Sequence, residues 1–140
     1  MSEVSYDMII QRGCQLKEMK RITALSGFLY LATPYAKYLM GREAAARHAA
    51  ILAGELMAHD LPVYSPIAQN HEVGRRYALP DTHEFWMRMD LPILACARGL
   101  VVAHMPGWSE SRGVLEEIDY AERKYIPIFH LSLPASMFTN

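Results

Sequence analysis

The stretch from Pro106 to Val114 holds the densest group of side chains able to bind an anion. It reads PGWSESRGV and combines two serines, an arginine and two glycines. The pattern predicts a turn that opens a helix, whose first N–H groups have no partner within the helix and attract a phosphate or carboxylate. The alternative is that Ser109 or Ser111 simply caps the helix, and composition alone favours capping.

Helical geometry distinguishes two adjacent glutamates in this helix. At about 100° per residue, Glu117 lies about 60° from Val114, whereas Glu116 points nearly opposite to the apolar stripe. We therefore predict that Glu116 is solvated. Glu117 borders the buried side near the helix N-terminus, which favours an ionised carboxylate placed as a nucleophile or an orienting base; an ion-paired boundary glutamate is an equal alternative. The predicted stripe comprises Val114, Ile118, Ala121 and Tyr125.

Asp90 lies between Met89 and Leu91 in a largely apolar stretch that leads into a predicted strand. An acid near the carboxyl edge of a sheet can protonate a leaving group or hold a base by hydrogen bonds. A salt-bridged helix acid is the ordinary alternative.

The sequence predicts neither a metal nor a cofactor. No two of the six histidines have HxxxH spacing, and Cys14 and Cys96 form no CxxC motif, so a zinc site and a disulfide framework are disfavoured. The turn from Thr33 to Lys37 contains neither GxGxxG nor GxxxxGK, which disfavours dinucleotide and P-loop binding. His104, at a strand end, is expected to be a satisfied residue at the core edge.

Composition predicts one domain that acts on a small molecule. The 140 residues are 51% hydrophobic, with 14 basic and 15 acidic side chains, and a chain of this length buries a sufficient core. Because both charge signs are interspersed, binding to a nucleic-acid polymer is disfavoured. There is no basic leader and no run of about 18 apolar residues, so we expect no membrane association and a cytoplasmic protein.

Strands and helices alternate along the chain. Residues 1–24 are predicted to form an extension outside the core, with a short helix interrupted at Gly13, and residues 25–140 to form the domain. Residues 67–80 are predicted to be a long functional or mobile loop. The predicted strands are 28–32, 62–66, 99–103 and 126–129; the predicted helices include Ala45 to Leu56, a helix that Asp81 and Glu84 cap and Pro92 bends or restarts, and 109–124.

This alternation predicts an α/β fold: a three-layer, flavodoxin- or Rossmann-like parallel sheet with helices on both faces. Ligands of such sheets bind at the carboxyl ends of strands, where the strand order reverses. The turns after Ala32 and Ala103 are therefore where chemistry is expected.

Four segments resemble the nucleoside 2-deoxyribosyltransferase-like superfamily. More closely, the chain resembles its DUF1937 group of unknown function, which shares the YLATPY start and the GWxxS turn. The likeness covers about residues 28–130, and its most specific part is the Ser-x-Gly-x-x-x-Glu-x-x-x-Ala spacing from Ser111 to Ala121. The segments are YLATPY at 30–35, SPIA at 65–68, WMRMD at 86–90, and 107–121.

The resemblance implies a role for individual residues. Glu117 would attack the anomeric carbon to form a glycosyl-enzyme, and Asp90 would help the base to leave. Ser111 matches a serine that binds a 5′-phosphate in the nucleotide hydrolases, and Tyr30 aligns with a tyrosine near the sugar. The resemblance also implies a homo-oligomer, a dimer or tetramer, in which a neighbour completes each site. The substrate-binding residues predicted in these motifs are Ser111, Gly113, Trp108, Thr33 and Tyr35.

The sequence departs from this family pattern at two places. Arg98 stands where members commonly have an acid. Thr33 to Lys37 replaces the glycine-arginine phosphate loop of the nucleotide hydrolases. Lys37, Arg42 and Arg112 are candidates to replace that loop, and solvated surface charges are the alternative for all three.

Three hypotheses about function follow. The first is an N-glycosidase or deoxyribosyltransferase acting on a nucleoside or nucleoside 5′-monophosphate. The second is a non-catalytic nucleotide-binding or sensing module, and the third is an oligomeric scaffold with Glu117 in an ion pair between subunits. Convergence of Tyr30, Asp90, Ser111 and Glu117 on one cavity at the strand ends would favour the first.

Overall fold

A computed structural model describes residues 14–138, and the predicted alternation of strands and helices is confirmed there. Within that range no helix is long and apolar enough to cross a membrane. In chain order the elements are α1 (Cys14–Thr23), β1 (Leu29–Ala32), α2 (Arg42–Ala58), β2 (Val63–Tyr64), α3 (Pro66–Arg76), α4 (His83–Leu94), β3 (Gly99–Ala103), α5 (Arg112–Arg123) and β4 (Ile128–Leu131), with short 3-10 turns at Trp108–Glu110 and Ala135–Phe138.

The four strands form one parallel sheet in the order β2-β1-β3-β4. Tyr30 of β1 lies opposite Tyr64 on one side and Leu100 on the other. The strand order reverses between β1 and β3, which opens a crevice at the carboxyl edge of the sheet. The predicted three-layer α/β fold is confirmed.

The sheet separates two apolar clusters, one on each face. Successive side chains of a strand point to opposite faces, so Leu29 and Leu31 pack with α2 while Tyr30 and Ala32 pack with α4 and α5. Both β1 and β3 are buried throughout, as expected for parallel strands covered on both faces. This double burial fixes β1 between α2 and the two helices that carry the candidate acids.

The predicted extension contributes to the core. Leu16, Met19 and Ile22 recur every three residues of α1, and Met19 is 1% exposed within the α2-side cluster. The expectation that this segment lies outside the core is therefore wrong for α1, because its apolar stripe packs on the domain. The predicted interruption at Gly13 lies outside the described residues, and the domain boundary at residue 25 stays a prediction.

The predicted loop at 67–80 is wrong, because most of it is α3. Ser65 caps this helix by accepting a hydrogen bond from the Ala68 N–H at 3.2 Å. Pro66 occupies the first helical turn, where its fixed φ suits a helix and its missing N–H costs nothing. His71 therefore lies on a helix and not at the border of a loop.

The start of α4 also differs from its prediction. Thr82, not Asp81, is the N-cap and accepts a hydrogen bond from the Phe85 N–H at 3.2 Å. Asp81 instead forms an ion pair with Arg42 at 2.7 Å. The helix continues through Pro92 to Leu94 without restarting. The proline lies in the last turn, so only two helical residues follow the position where its missing N–H and its ring disturb the helix.

The predicted helix at 109–124 begins later than expected. Gly107 adopts a left-handed φ of 79° and leads into the 3-10 turn, so α5 starts at Arg112 with Ser111 as its N-cap. At the other end Tyr125 has a φ of 57° and is 93% exposed. Its predicted place in the apolar stripe is wrong, because the helix has ended at Arg123. The last strand, β4, likewise begins at Ile128 and not at Ile126.

Candidate active site

A cavity of about 830 Å³ opens at the carboxyl edge of the sheet. Its walls come from the turn after β1, from α3, and from the N-terminal parts of α4 and α5. The turns after Ala32 and Ala103 both contribute to it, as the fold class predicts. The predicted site residues that line it are Thr33, Tyr35, Asp90, Ser111, Gly113 and Glu117.

Glu117 lies at the buried end of this cavity, on the second turn of α5. It is 4% exposed, and one carboxylate oxygen, Oε2, accepts a hydrogen bond from the Tyr30 hydroxyl. The helical geometry predicted this burial, since Val114, Glu117 and Ala121 share one face and all three are buried. The carboxyl group is therefore held by a neighbouring strand and lines the cavity.

The burial of Glu117 acts against the ionised state that its place near the helix N-terminus predicts. Burial raises the pKa of Glu117 to about 8, and the nearby Asp90 carboxylate acts in the same direction. The Tyr30 hydrogen bond lowers the pKa by a smaller amount. Desolvation outweighs the favourable helix N-terminus because a buried carboxylate loses its water on all sides. Burial therefore favours the protonated form of Glu117 near neutral pH.

Tyr30 contacts Glu117 through its hydroxyl group. Its side chain is fully buried and is not among the residues that line the cavity, and its predicted catalytic role near a sugar stays a prediction. Burial, with the Glu117 and Asp90 charges, raises the pKa of Tyr30 far above its usual value. The phenol therefore stays protonated and serves as a hydrogen-bond donor.

Asp90 is the second carboxyl group of the cavity. It is 3% exposed on α4, and its Oδ1 accepts a hydrogen bond from the Asn70 side-chain amide at 2.8 Å. Burial raises the pKa of Asp90 to about 6, while the Asn70 hydrogen bond opposes this rise. No ion pair to Asp90 is present between residues 14 and 138, so the salt-bridged alternative is not what the structure shows.

One face of α4 lines the cavity. His83, Trp86, Met87 and Asp90 follow one another at helical spacing along this face. The His83 Nε2 lies 2.5 Å from the Glu116 Oε1, so Glu116 is partly covered and paired and is not the freely solvated charge that the sequence predicts. This contact links α4 to α5 beside the cavity.

Ser111 does cap α5. Its Oγ accepts a hydrogen bond from the Val114 N–H at 3.3 Å. Ser111 also lines the cavity, with Arg112 and Gly113 beside it. Arg112 forms an ion pair with Glu84 at 3.0 Å. Ser111 therefore acts as the N-cap of α5. The hydrogen of its hydroxyl group has no acceptor in the described part of the chain.

The turn after β1 presents a hydroxyl group without a partner. Thr33 is 4% exposed and lines the cavity, and its Oγ1 makes no hydrogen bond. The Tyr35 hydroxyl lies 2.7 Å from the His71 Nδ1, and the Arg42 guanidinium lies over the Tyr35 ring at 5.2 Å. Since buried hydroxyls are normally satisfied, Thr33 is a group that a ligand can pair.

Trp108 is not among the residues that line the cavity, and its predicted role in substrate binding stays a prediction. Its ring stacks on the His104 ring, with centroids 4.0 Å apart and an interplanar angle of 1°. The His104 Nε2 in turn lies 2.9 Å from the His130 Nδ1. His104 is therefore satisfied, as predicted, and its ring packs against the indole of Trp108.

Sequence reasoning missed Asn70 and His71. Both line the cavity from α3, which was predicted to be a loop. The Ser65-Pro66 pair, a good N-cap followed by proline in the first turn, was the signal that could have identified this helix.

The cationic side chains that line the cavity are mostly paired. Arg42 bonds to Asp81, Arg75 lies within 3.6 Å of Glu43 and Glu72, and Arg112 bonds to Glu84. Among the described residues, no three His, Cys, Asp or Glu side chains are grouped so that they could hold a metal ion. The cavity thus offers hydrogen-bonding groups and, among the four carboxyl side chains that line it, two that are buried, Asp90 and Glu117.

Comparison with known proteins assigns the chain to a family. No curated protein matches it significantly. A family model described as a domain of unknown function, DUF1937, matches residues 27–133. This range includes the whole sheet, α2 to α5, and every residue of the cavity described above. The chain belongs to the DUF1937 family.

Proposed function

We propose that this protein cleaves the N-glycosidic bond of a nucleoside or nucleoside 5′-monophosphate, either as a hydrolase or as a deoxyribosyltransferase. The observation that carries the proposal is that Glu117 and Asp90 line one cavity at the strand ends, each with one oxygen held by a neutral donor. The likeness of the 107–121 segment to nucleoside 2-deoxyribosyltransferase-like enzymes supports the same assignment.

Two displacements at the anomeric carbon make up the reaction. In the first, the Glu117 carboxylate attacks this carbon, the C–N bond breaks, and the departing base takes the electron pair together with a proton from Asp90. In the second, water or another base attacks the same carbon, the bond to Glu117 breaks, and Asp90 receives the proton. Splitting the substitution in this way lowers the barrier of each step.

In the first step of this reaction Asp90 must carry a proton and Glu117 must be ionised. Burial raises the pKa of Glu117 to about 8 and that of Asp90 to about 6, so without substrate the shared proton favours Glu117. Positive charge develops on the sugar in the transition state and favours the Glu117 carboxylate. Substrate therefore shifts the proton toward the acid that needs it.

The substrate is a single nucleotide-sized molecule. The cavity of about 830 Å³ lies in the usual range for small-ligand sites. We assign a 5′-phosphate of the substrate to Ser111 and the N-terminus of α5. We assign other polar groups of the ligand to Thr33 and Tyr35. The proposal includes a homo-oligomer and a cytoplasmic location.

A nucleotide-binding module without turnover is the second candidate. The burial of Glu117 favours it, because burial raises the pKa of this carboxyl group and a neutral carboxylic acid is a poor nucleophile. The scaffold hypothesis loses its basis, since Glu117 is buried and bonds to Tyr30 of its own chain and not to a cation at a surface.

Release of free base from a panel of nucleosides and nucleoside 5′-monophosphates tests the proposal. We expect wild-type protein to release base and Glu117→Gln to lose about 10³-fold in kcat. Glu122→Gln is the matched control, since it changes an exposed glutamate of the same helix outside the cavity, and it should retain activity. Thermal shifts with nucleotides but no base release would favour the binding module, and equal activity in Glu117→Gln would contradict the assigned nucleophile.

A further inference from the structure

Asn70 lines the cavity and forms a hydrogen bond with the proposed acid, Asp90, on another helix. It lies on α3, and its amide donates to the Asp90 Oδ1 on α4 at 2.8 Å. The Asp90 carboxyl group has no other hydrogen bond in the described part of the chain. The orientation of the Asp90 carboxyl group therefore depends on this one contact.

The donor and the acceptor of this hydrogen bond are fixed by chemistry. An ionised carboxylate only accepts hydrogen bonds, so the NH₂ end of the Asn70 amide must point to Asp90. A donor on Oδ1 leaves Oδ2 as the oxygen available for a proton. The N-cap at Ser65 and Pro66 in the first turn set the start of α3 and thereby the position from which Asn70 reaches Asp90.

We infer that Asn70 is a positioning residue for the proposed glycosidic cleavage: its amide holds the Asp90 Oδ1 so that Oδ2 is presented to the leaving base. The inference rests on the proposed function for the role of Asp90, but the contact itself is independent of it. Asn70 also stabilises the ionised form of Asp90, so the proton of the pair stays on Glu117 until substrate is bound.

The other groups around Asp90 do not replace this bond. Glu117 of α5 adds a second carboxyl, and Tyr30 of β1 and Tyr64 of β2 are phenols whose pKa values the Asp90 charge raises. Tyr30 donates to Glu117, and the Tyr64 hydroxyl has no hydrogen-bond partner. Asn70 is thus the group among the described residues that donates to Asp90.

Carboxyl carbon NMR of protein labelled at aspartate measures the effect directly. The Asp90 signal is assigned by its loss in Asp90→Asn. In Asn70→Ala we expect the pKa of Asp90 to rise by about one pH unit. Gln69→Ala is the matched control: Gln69 is the adjacent amide on the exposed side of α3, and its removal should leave the titration of Asp90 unchanged.

Steady-state kinetics of the same variants provide the second readout. We expect Asn70→Ala to lower kcat by about tenfold with KM within a factor of about two, because the bond orients the acid and does not bind substrate. An unchanged Asp90 titration would overturn the inference, and so would an unchanged kcat. If the wild-type protein releases no base, the proposed function fails, whereas the NMR result still decides whether Asn70 controls Asp90.

Discussion

Glu117 and Asp90 carry the same functional group in two different environments. Tyr30 donates to one and Asn70 to the other, and burial, the largest cause at both, raises the pKa of Glu117 further than that of Asp90. In such pairs the acid with the higher pKa is ordinarily the proton donor, so Glu117 acts as the nucleophile only if substrate moves the proton to Asp90. The structure thus supplies a pair able to hold one proton near neutral pH.

The pH dependence of kcat/KM follows from this pair. Below pH about 6 both acids are protonated and no nucleophile is present; above pH about 8 both are ionised and no acid can protonate the base. We expect a bell-shaped profile with limbs near these two values, measured by base release. A profile that keeps rising above pH 9 would contradict the shared proton.

Thr33 should affect ligand binding and stability in opposite directions. Thr33→Val removes the unpaired Oγ1 at nearly constant volume, so we expect the free energy of unfolding to increase by about 1 kcal/mol. Ligand binding should weaken by about tenfold, since a hydrogen bond to the ligand is lost. Thr33→Ser keeps the hydroxyl and is the control. A less stable Thr33→Val would show that the hydroxyl has a partner within the protein.

The periodicity of α5 was sufficient to predict which of two glutamates is buried. It could not predict the protonation state of Glu117, because desolvation depends on the strand and helix that cover it. Nor could it place Trp108, whose ring is held by a histidine four positions earlier and another on β4. Periodicity fixes faces, whereas pKa values and ring positions depend on tertiary neighbours.

At the scale of elements, α3 is the largest difference between prediction and structure. Its many polar and charged side chains indicated a loop, yet Ser65 and Pro66 begin a helix that brings Asn70 and His71 to the cavity. Local start signals were present in the sequence and outweighed composition. The helix matters for function because Asp90 has its only hydrogen-bond donor among the described residues on it.

Two serine caps separate helix stability from phosphate binding. Ser111→Ala and Ser65→Ala each remove an N-cap, and each should lower the free energy of unfolding by about 1 kcal/mol. Only Ser111 lines the cavity, so only Ser111→Ala should raise KM for a nucleoside 5′-monophosphate while leaving KM for the nucleoside unchanged. An equal rise for both substrates would contradict a phosphate site at this helix.

At the scale of the whole molecule, the alternation of strands and helices predicted the three-layer fold and the edge at which the cavity lies. The alternation did not predict that the short apolar stripe of α1 packs on the core, where Met19 is buried. A stripe of three residues does not reveal which surface it covers. The parallel strands were easier to identify, because their buried runs are continuous.

The cavity should make the fold less stable as pH rises. The pKa of Glu117 is raised from 4.5 to about 8 and that of Asp90 from 3.8 to about 6, so the folded state binds more protons than the unfolded chain between these values. The stabilisation is complete at low pH and is lost as pH rises to about 8. We expect denaturant titrations to show a falling free energy of unfolding from pH 6 to pH 8.

Glu117→Gln should flatten this slope, since a glutamine does not titrate. Glu122→Gln should leave the slope unchanged. An equal slope in wild type and Glu117→Gln would mean that Glu117 does not have a raised pKa in the folded protein.

The central claim, that Glu117 is the nucleophile, is tested most directly by mass spectrometry of protein quenched during turnover. We predict a mass increase equal to the sugar or sugar phosphate of the substrate, localised to Glu117 in the digested protein and missing in Glu117→Gln. Base release without any adduct, or an adduct on another residue, would contradict the account.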